Sequence, residues 1–244
     1  MPTVDLSIII PAYNESRRLP GSLADIAAYV RQTGLSCELI VVDDGSIDGT
    51  ADIVRQQPTS GVTLRVLANA TNRGKGWAVR QGMLAASGGM RLMCDADLST
   101  PIGELDKLRP WLAAGYDIAI ASRDLPGADL DPPQPWPRRY LALLFRALRR
   151  RLLLPELLDT QCGFKLFRGA AAEALFGRQT LNGWLFDCEV LALAKQMGYR
   201  IREVPVRWGH RPGSRVQTWR TALTALPTLL RLRHRLTRPC GDNP

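Results

Sequence analysis

The stretch LSIIIPAYNESRRLPGSLADIAAYVRQTGLSCELIVVDD, residues 6–44, decides the predicted fold. Its two ends, 6–12 and 38–44, are short apolar runs rich in β-branched residues, which is typical of strands covered on both faces. The segment between them, 17–33, has the length and spacing of a helix. This order predicts two parallel strands joined by a crossover helix.

The same alternation continues through the first half of the chain. Further strands are predicted at 64–68, 90–96 and 117–122, and further helices at 49–57, 75–87 and 103–114. The predicted fold class is therefore α/β, with a doubly wound, mostly parallel sheet that binds ligands at the carboxyl ends of its strands. Three polar clusters follow predicted strands at that end: Tyr13-Asn14-Glu15, Asp43-Asp44 and Asp95-Asp97.

The second half of the chain has a different pattern. Its predicted elements are a proline-rich connector at 124–137, a basic helix at 138–153, a turn-rich stretch at 159–169, a helix at 184–197, a strand at 201–208 and a basic helix at 216–236.

We expect two units in this chain. The first is one α/β domain over 1–215, into which the connector and basic helix at 124–158 are inserted. The second is a C-terminal amphipathic basic helix with its tail, over 216–244.

Composition is that of a globular protein in a reducing compartment. The 244 residues are 45% hydrophobic and 23% charged, which is ordinary for a domain that buries a full core. Five scattered cysteines without a CxxC pair argue against a disulfide framework and a structural zinc site, and favour the cytosol. We expect neither a signal peptide nor a membrane-spanning helix, since no window approaches the required ~20 apolar residues.

Positive charge is concentrated in two regions. The net charge is +9; six arginines and no acid lie between Trp136 and Leu154, and ten more arginines against one glutamate lie from Arg200 to Arg238. Such a surface favours a polyanionic partner. Because the sequence shows no helix-turn-helix, zinc-finger or RNP-like motif, we expect an anionic membrane surface and no nucleic acid.

Residues 91–99, RLMCDADLS, place two aspartates one residue apart after an apolar run. In an extended chain, side chains at i and i+2 project from the same face, so Asp95 and Asp97 are expected to converge. Close carboxylates repel unless a proton or cation lies between them, and Mg2+ or Mn2+ suits such oxygen ligands. A solvated turn is the alternative interpretation.

A series of ordered motifs spans nearly the whole chain: IIIPAYNE (8–15), VVDDGSIDGT (41–50), NRGKGWAVRQGM (72–83), DADLS (95–99), ASR (121–123), DTQCGFKLF (159–167), WLFDCEVL (184–191), IREVPVRW (201–208) and GSR (213–215). Together they resemble the family-two glycosyltransferases of the GT-A type, in their polyprenyl-phosphate branch. DTQCGFKLF, with FDCE after it, is most similar to the dolichyl-phosphate β-glucosyltransferases. The resemblance implies a Rossmann-like GT-A fold and C-terminal basic amphipathic helices.

The resemblance also implies a binding set for the nucleotide sugar: Pro11, Tyr13, Glu15, Asp43, Asp44, Lys75, Asp95 and Arg123. The first loop would surround the base, and the Asp43-Asp44 pair would bind base and ribose, since carboxylates accept from N–H and hydroxyl groups. A helix-entry turn at 43–46 and a solvated Lys75 are the alternatives.

The metal, in this resemblance, is held by Asp95 and principally by Asp97, which would bridge it to the pyrophosphate. Ser99 stands where some relatives carry a metal-binding glutamine. The phosphate-binding residues implied for the acceptor are Arg123, Arg215 and Arg207, with a solvated basic face as the alternative.

Asp159 and Asp187 complete the predicted catalytic set with Asp97. A carboxylate near position 187 acts as general base in relatives that use a sugar hydroxyl, but an anionic phosphate acceptor needs no base. Asp187 would then orient the sugar and Asp159 the acceptor or metal; buried structural acids are the alternative. Stacking on a sugar face is one interpretation of Trp184 and Phe186, and core packing is the favoured one.

The two basic helices are predicted to lie on the membrane surface, on its cytoplasmic face, with their apolar stripes toward lipid. Core packing with solvated arginines is the alternative. The residues of the stripes are Tyr140, Leu141, Leu144, Phe145, Leu148 and Leu152 in the first helix, and Trp219, Leu223, Leu226, Leu229 and Leu230 in the second.

These observations predict an inverting, metal-dependent transferase that moves a hexose, glucose from UDP-glucose in the favoured version, onto a polyprenyl or dolichyl phosphate. Two alternatives stay open: a glycosyltransferase with a hydroxyl acceptor on a saccharide, lipid or protein, and a non-catalytic membrane-surface binding protein.

Overall fold

The computed structural model describes residues 4–58, 61–131, 136–209 and 218–237. The strands in these ranges are β1 (Leu6–Ala12), β2 (Cys37–Asp43), β3 (Thr63–Ala68), β4 (Met90–Cys94), β5 (Ile118–Ser122), β6 (Asp129–Asp131), β7 (Phe164–Arg168), β8 (Ile201–Pro205) and β9 (Arg207–Gly209). The helices are α1 (Leu19–Thr33), α2 (Thr50–Arg55), α3 (Lys75–Ala85), α4 (Leu105–Ala113, after a 3-10 turn at Ile102–Glu104), α5 (Trp136–Leu152), α6 (Gly169–Arg178), α7 (Phe186–Gln196) and α8 (Thr218–Thr237).

Seven strands form one sheet in the order β3-β2-β1-β4-β7-β5-β8. β1 pairs in parallel with both β2 and β4, and β5 pairs in parallel with β8. Ala12 at the end of β1 is in register with Asp43 at the end of β2. The predicted doubly wound, mostly parallel sheet is therefore confirmed, and the loops after β1, β2 and β4 lie side by side at one edge.

Both faces of the sheet are covered by helices, as the apolar runs predicted. Along β1, Ile8 and Ile10 pack into a core shared with α1 and α4, whereas Ile9 packs into a second core shared with α3, α6 and α7. Adjacent side chains of a strand point to opposite faces, so a strand between two helical layers needs apolar residues at every position.

The sequence interpretation missed β7 and α6. Residues 159–169 were predicted as turns, but Phe164–Arg168 forms a central strand, antiparallel to β4 and β5. Because β7 has only five residues, its strand character comes from the two neighbours that it pairs with. The predicted strand at 201–208 is also two strands, and the second of them, β9, pairs with β6 in a separate small sheet.

Helices α5 and α8 pack against each other and form a third apolar cluster. Leu229 of α8 is fully buried there, and Phe145, Leu148 and Leu152 of α5 pack against the same cluster. The prediction that these residues face lipid is wrong, because they cover the partner helix. The side chains predicted at Tyr140, Leu141, Leu144, Trp219 and Leu223 lie outside the described residues.

Other described residues of the α5/α8 pair remain open to solvent. Leu143, Leu226 and Leu230 are each about half exposed. Within the described ranges, no helix combines the length and the apolar composition that a membrane crossing requires.

Candidate active site

The loops after β1 and β2 bind each other through polar side chains. Asn14 N donates to Ser46 Oγ at 2.8 Å, and Ile47 N donates to Asn14 Oδ1 at 2.9 Å. Asn14 has a φ of 55°, a left-handed conformation that asparagine tolerates better than most residues. Tyr13, the first residue of this loop, stays 39% exposed, so its ring is accessible to a ligand.

Asp44 holds the glycine-rich loop that precedes α3. Its buried carboxylate accepts from Arg73 N at 3.0 Å and Gly74 N at 2.7 Å, and from Asn69 Nδ2 at 2.9 Å. Asp43 is buried beside it and accepts from Ser46 N at 3.0 Å through Oδ1. Of the two predicted nucleotide ligands, Asp44 therefore uses its carboxylate to hold the loop before α3. Asp43 uses one carboxylate oxygen, Oδ1, in a local turn with Ser46.

The turn after β4 positions the two aspartates of the DADLS motif. β4 ends at Cys94, so they lie in the turn and not in the strand, and convergence through strand alternation is the wrong explanation. Ser99 N donates to Asp97 Oδ1 at 3.0 Å. Leu98 has a φ of 46° with its side chain buried, a conformation that costs a leucine about 1–2 kcal/mol. Such strain is concentrated at functional sites.

Both carboxylates of this turn remain partly open. The exposed side-chain fraction is 38% for Asp95 and 18% for Asp97, and Asp97 Oδ2 lies 3.5 Å from Arg18 Nη1. Gly163, in the loop before β7, lies against the first carboxylate so closely that a Cβ there would come within 1.9 Å of Asp95 Oδ2. This glycine is required by the close approach of the two loops.

Lys75, at the first position of α3, brings a positive charge to this turn. Its Nζ lies 2.6 Å from Asp95 Oδ1 and 4.8 Å from the ring centre of Trp184. Burial opposes the charge on Lys75, but the carboxylates of Asp95 and Asp187 outweigh it, and the pKa of the ammonium is raised. Lys75 therefore stays positive inside the site, and the solvated alternative does not describe it.

Asp187 lies in the first turn of α7 in a buried ion pair. Its Oδ1 accepts from Lys165 Nζ at 2.6 Å, and the same ammonium donates to Cys162 O at 2.5 Å. The two charged residues are 2% and 1% exposed. Burial raises the pKa of the Asp187 carboxyl, and the ammoniums of Lys165 and Lys75 oppose that rise. The Asp187 carboxylate therefore contacts a buried lysine and is not accessible from the surface.

Asp159 binds Arg123 in a two-pronged ion pair. Arg123 donates through Nε at 2.7 Å and Nη2 at 3.0 Å, and its backbone N–H donates at 3.0 Å. The backbone N–H groups of Gln161 and Cys162 also donate to Asp159. Burial opposes ionisation of Asp159, but the Arg123 guanidinium and these hydrogen bonds hold the pKa of the carboxyl well below its usual range. Asp159 therefore has the geometry expected of a buried structural acid, the alternative raised from the sequence.

The remaining predicted site residues are Pro11, Glu15, Arg207 and Arg215. Pro11 is inside β1, in register with Val42, and Glu15 binds Arg18 at 2.5 Å. Arg207 is exposed on β9. Arg215 lies outside the described residues.

Sequence reasoning missed the partners of the acids. Lys165 and Gly163 stand inside the quoted motif DTQCGFKLF, but nothing in the sequence says that they contact Asp187 and Asp95. Trp184 was expected in the core, yet it is 39% exposed beside Lys75. Phe186 is buried, as expected for core packing.

The chemistry of the DADLS turn is compatible with a divalent cation. Among the described residues, no three His, Cys, Asp or Glu side chains cluster as a metal cage. Two partly open carboxylates form a minimal oxygen donor set, which suits an ion that keeps positions for water and substrate phosphates. Asp95 and Asp97 therefore fit such an ion, provided that the remaining ligands come from the substrate.

The model of the family described as glycosyl transferase family 2 matches residues 7–176. This range includes the loops after β1, β2 and β4, whereas Trp184 and Asp187 lie beyond it. The chain belongs to glycosyl transferase family 2. Dolichyl-phosphate beta-glucosyltransferase of Dictyostelium discoideum is 34% identical, over 94% of this chain and 74% of that protein. The Homo sapiens protein of that name is 35% identical, over 88% and 70%.

A solved structure shares the fold of this family-2 chain. Glucosyl-3-phosphoglycerate synthase from Mycobacterium tuberculosis, in complex with Mn2+, UDP-glucose and phosphoglyceric acid, superposes with a TM-score of 0.69 over 94% of this chain and 80% of that one. Its sequence identity is 20%, so the likeness concerns the fold.

Proposed function

We propose that this protein transfers glucose from UDP-glucose to a polyprenyl phosphate of the dolichyl type, with inversion at the anomeric carbon. The observation that carries the proposal is the open pair Asp95 and Asp97 beside Lys75, in a chain whose relatives are named dolichyl-phosphate beta-glucosyltransferase.

The donor nucleotide binds on the surface formed by the joined loops after β1 and β2. Tyr13 offers an open ring for the base, and Asp43 accepts from the base or ribose through its second oxygen. Asp44 acts indirectly, since it fixes the backbone of Arg73 and Gly74.

The donor diphosphate binds at the DADLS turn. Asp95 and Asp97 would hold Mg2+ or Mn2+, which supplies positive charge to the leaving nucleoside diphosphate when it is bound. Lys75 and Arg18 already contact these carboxylates, so this chain adds two fixed positive charges where negative charge develops during transfer.

The transfer needs no general base from the protein. An oxygen of the lipid phosphate, already anionic at neutral pH, attacks the anomeric carbon from the face opposite UDP. The new carbon–oxygen bond forms as the bond to the β-phosphate breaks, and the electron pair leaves with UDP. The burial of Asp187 against Lys165 supports a role in fixing α7 over one in removing a proton, and so supports an anionic acceptor over a hydroxyl one.

The acceptor phosphate binds Arg123. Asp159 grips the Nε and Nη2 groups, which orients the planar guanidinium and leaves Nη1 for the phosphate. A fixed guanidinium loses little freedom when it binds, so Asp159 acts as a positioning residue.

The lipid acceptor calls for contact with a membrane surface, which the α5/α8 pair supplies. Leu143, Leu226 and Leu230 are exposed apolar residues of this pair, and the sequences of both helices are rich in arginine. Apolar burial and attraction to anionic lipid add together in this arrangement. Anionic liposomes should carry the protein upward in a density gradient at low salt. Replacing the three leucines by serine should leave it at the bottom, whereas Leu84→Ser, which changes an exposed leucine of α3, should not.

A transfer assay with labelled UDP-glucose, a polyprenyl phosphate and Mn2+ tests the proposed activity. We expect label in the organic phase with the native protein, and none with Asp97→Ala, whose circular dichroism should stay native. Asp187→Asn should retain turnover in the fraction that folds. Its complete loss in a folded variant would favour the hydroxyl-acceptor transferase, and absence of any transfer or hydrolysis by the native protein would favour a binding protein.

A further inference from the structure

Trp184 is an exposed aromatic side chain that the proposed site does not yet use. Its two following neighbours are buried, Leu185 in the α5/α8 cluster and Phe186 in the core beneath the sheet. Trp184 itself stays 39% exposed. The residues that directly follow Trp184 are therefore anchored in the core, while its large aromatic ring stays exposed.

The ring is adjacent to the place where the diphosphate is proposed to bind. One ammonium, that of Lys75, contacts both Asp95 Oδ1 at 2.6 Å and the ring face of Trp184 at 4.8 Å. Only the width of a single side-chain group therefore separates the carboxylate from the indole. On that face the ring meets a polar side chain of the site and not the packed core, and its 39% exposure leaves apolar surface available to a ligand.

The loop that carries Trp184 is held rigidly against α3. Buried Glu189 accepts from Thr180 N at 3.0 Å and from Leu181 N at 2.7 Å. Asn182 O accepts from Trp77 N at 3.2 Å, and a Cβ at Gly74 would come within 2.5 Å of the same oxygen. An aromatic ring on such a fixed support binds a ligand with little ordering cost.

We propose that Trp184 is the platform on which the transferred hexose lies, so that it selects the sugar and not the nucleotide. The inference rests on the proposed function and names the residue that recognises its sugar. The hexose is bonded directly to the β-phosphate, so it must lie next to the diphosphate. Glucose carries its ring hydroxyls equatorially, and its faces therefore present C–H bonds, which pack well on the face of an indole.

This arrangement separates two contributions to donor affinity. UDP contacts the loops after β1, β2 and β4, whereas the hexose alone contacts Trp184. Removal of the indole should therefore weaken UDP-glucose and leave UDP unchanged. Tyr13 provides the matched control, because it is an equally exposed aromatic residue that faces the proposed base site.

Calorimetric titration of UDP and UDP-glucose in Mn2+ tests the inference on four proteins. Trp184→Ala should weaken UDP-glucose about ten-fold and UDP by less than about two-fold, while Trp184→Phe stays near the native values. Tyr13→Ala should weaken both ligands by the same factor. Native affinity of Trp184→Ala for UDP-glucose, or an equal loss for both ligands, overturns the platform. Failure of the native protein to bind UDP-glucose at all overturns the proposed donor instead.

Discussion

The ion pair of Lys165 and Asp187 supports the sharpest stability prediction. Lys165→Met removes one partner of a pair that is 2.6 Å apart and 1–2% exposed. It leaves a buried carboxylate without its counter-charge and takes the donor from Cys162 O. Removing one partner of such a pair costs about 3–5 kcal/mol of unfolding free energy.

Urea unfolding of a double-mutant cycle measures this quantity. Lys165→Met and Asp187→Asn should each be strongly destabilising, and the double variant should lose less than the sum of the two single losses. Lys195→Met is the matched control, since Lys195 pairs with Glu156 at an exposed site, and its loss should stay below about 1 kcal/mol.

The pH dependence of the unfolding free energy of Lys165→Met is a second test of the same ion pair. Burial already raises the pKa of Asp187, and loss of the lysine that opposes this rise will raise it further. A group with a raised folded-state pKa contributes stability below its unfolded pKa of about 3.9 and loses it as pH rises. The deficit of this variant should therefore be smaller at pH 5 than at pH 8. A small, pH-independent deficit like that of the Lys195 control would refute the buried ion pair.

Three further substitutions probe a buried acid near the start of β2 and two residues of the loops at the opposite, carboxyl edge of the sheet. Glu38, whose buried carboxylate accepts from Ser7 and Ser87, has a pKa lowered to about 2, because these hydrogen bonds and Arg65 outweigh burial. Native stability should therefore fall by roughly 2–3 kcal/mol as pH drops from 5 to 2, and Glu38→Gln should flatten this fall in urea unfolding. Gly163→Ala should displace Asp95 and weaken UDP binding in Mn2+ about ten-fold or more by calorimetry, since the new Cβ would overlap the carboxylate; unchanged affinity would contradict the close approach. Asp44→Asn should lower the free energy of unfolding by about 1–3 kcal/mol, because an amide cannot accept every hydrogen bond that holds the loop before α3.

The sheet was predictable because its pattern is local. β1 and β2 are apolar or small at every position except the acids Glu38 and Asp43 near the two ends of β2, and a helix of ordinary length separates the two runs. Two helical layers require this pattern, so the sequence between residues 6 and 44 was sufficient for the order of elements. β7 was not predictable in this way, because FKLFR becomes a strand only between β4 and β5, both distant in sequence.

The site was predictable as a set of loops but not as a set of contacts. Asp43 ends β2, and Asp44, Asp95 and Asp97 follow strands at the same edge, as the alternation implied. The partner of Asp187 is 22 residues away, and nothing in the spacing pairs it with Lys165. Such contacts depend on tertiary packing, which decides whether an acid meets a substrate or a buried lysine.

The proposed activity depends on a divalent cation that the two aspartates of the DADLS turn hold for the donor diphosphate. Electron paramagnetic resonance of free Mn2+ measures this binding without any turnover. In the presence of UDP, and beyond the Mn2+ that UDP alone binds, we expect one bound Mn2+ per native chain and none for the folded Asp97→Asn variant. Equal Mn2+ binding by both proteins, or full UDP affinity in the absence of any divalent ion, would contradict this proposal.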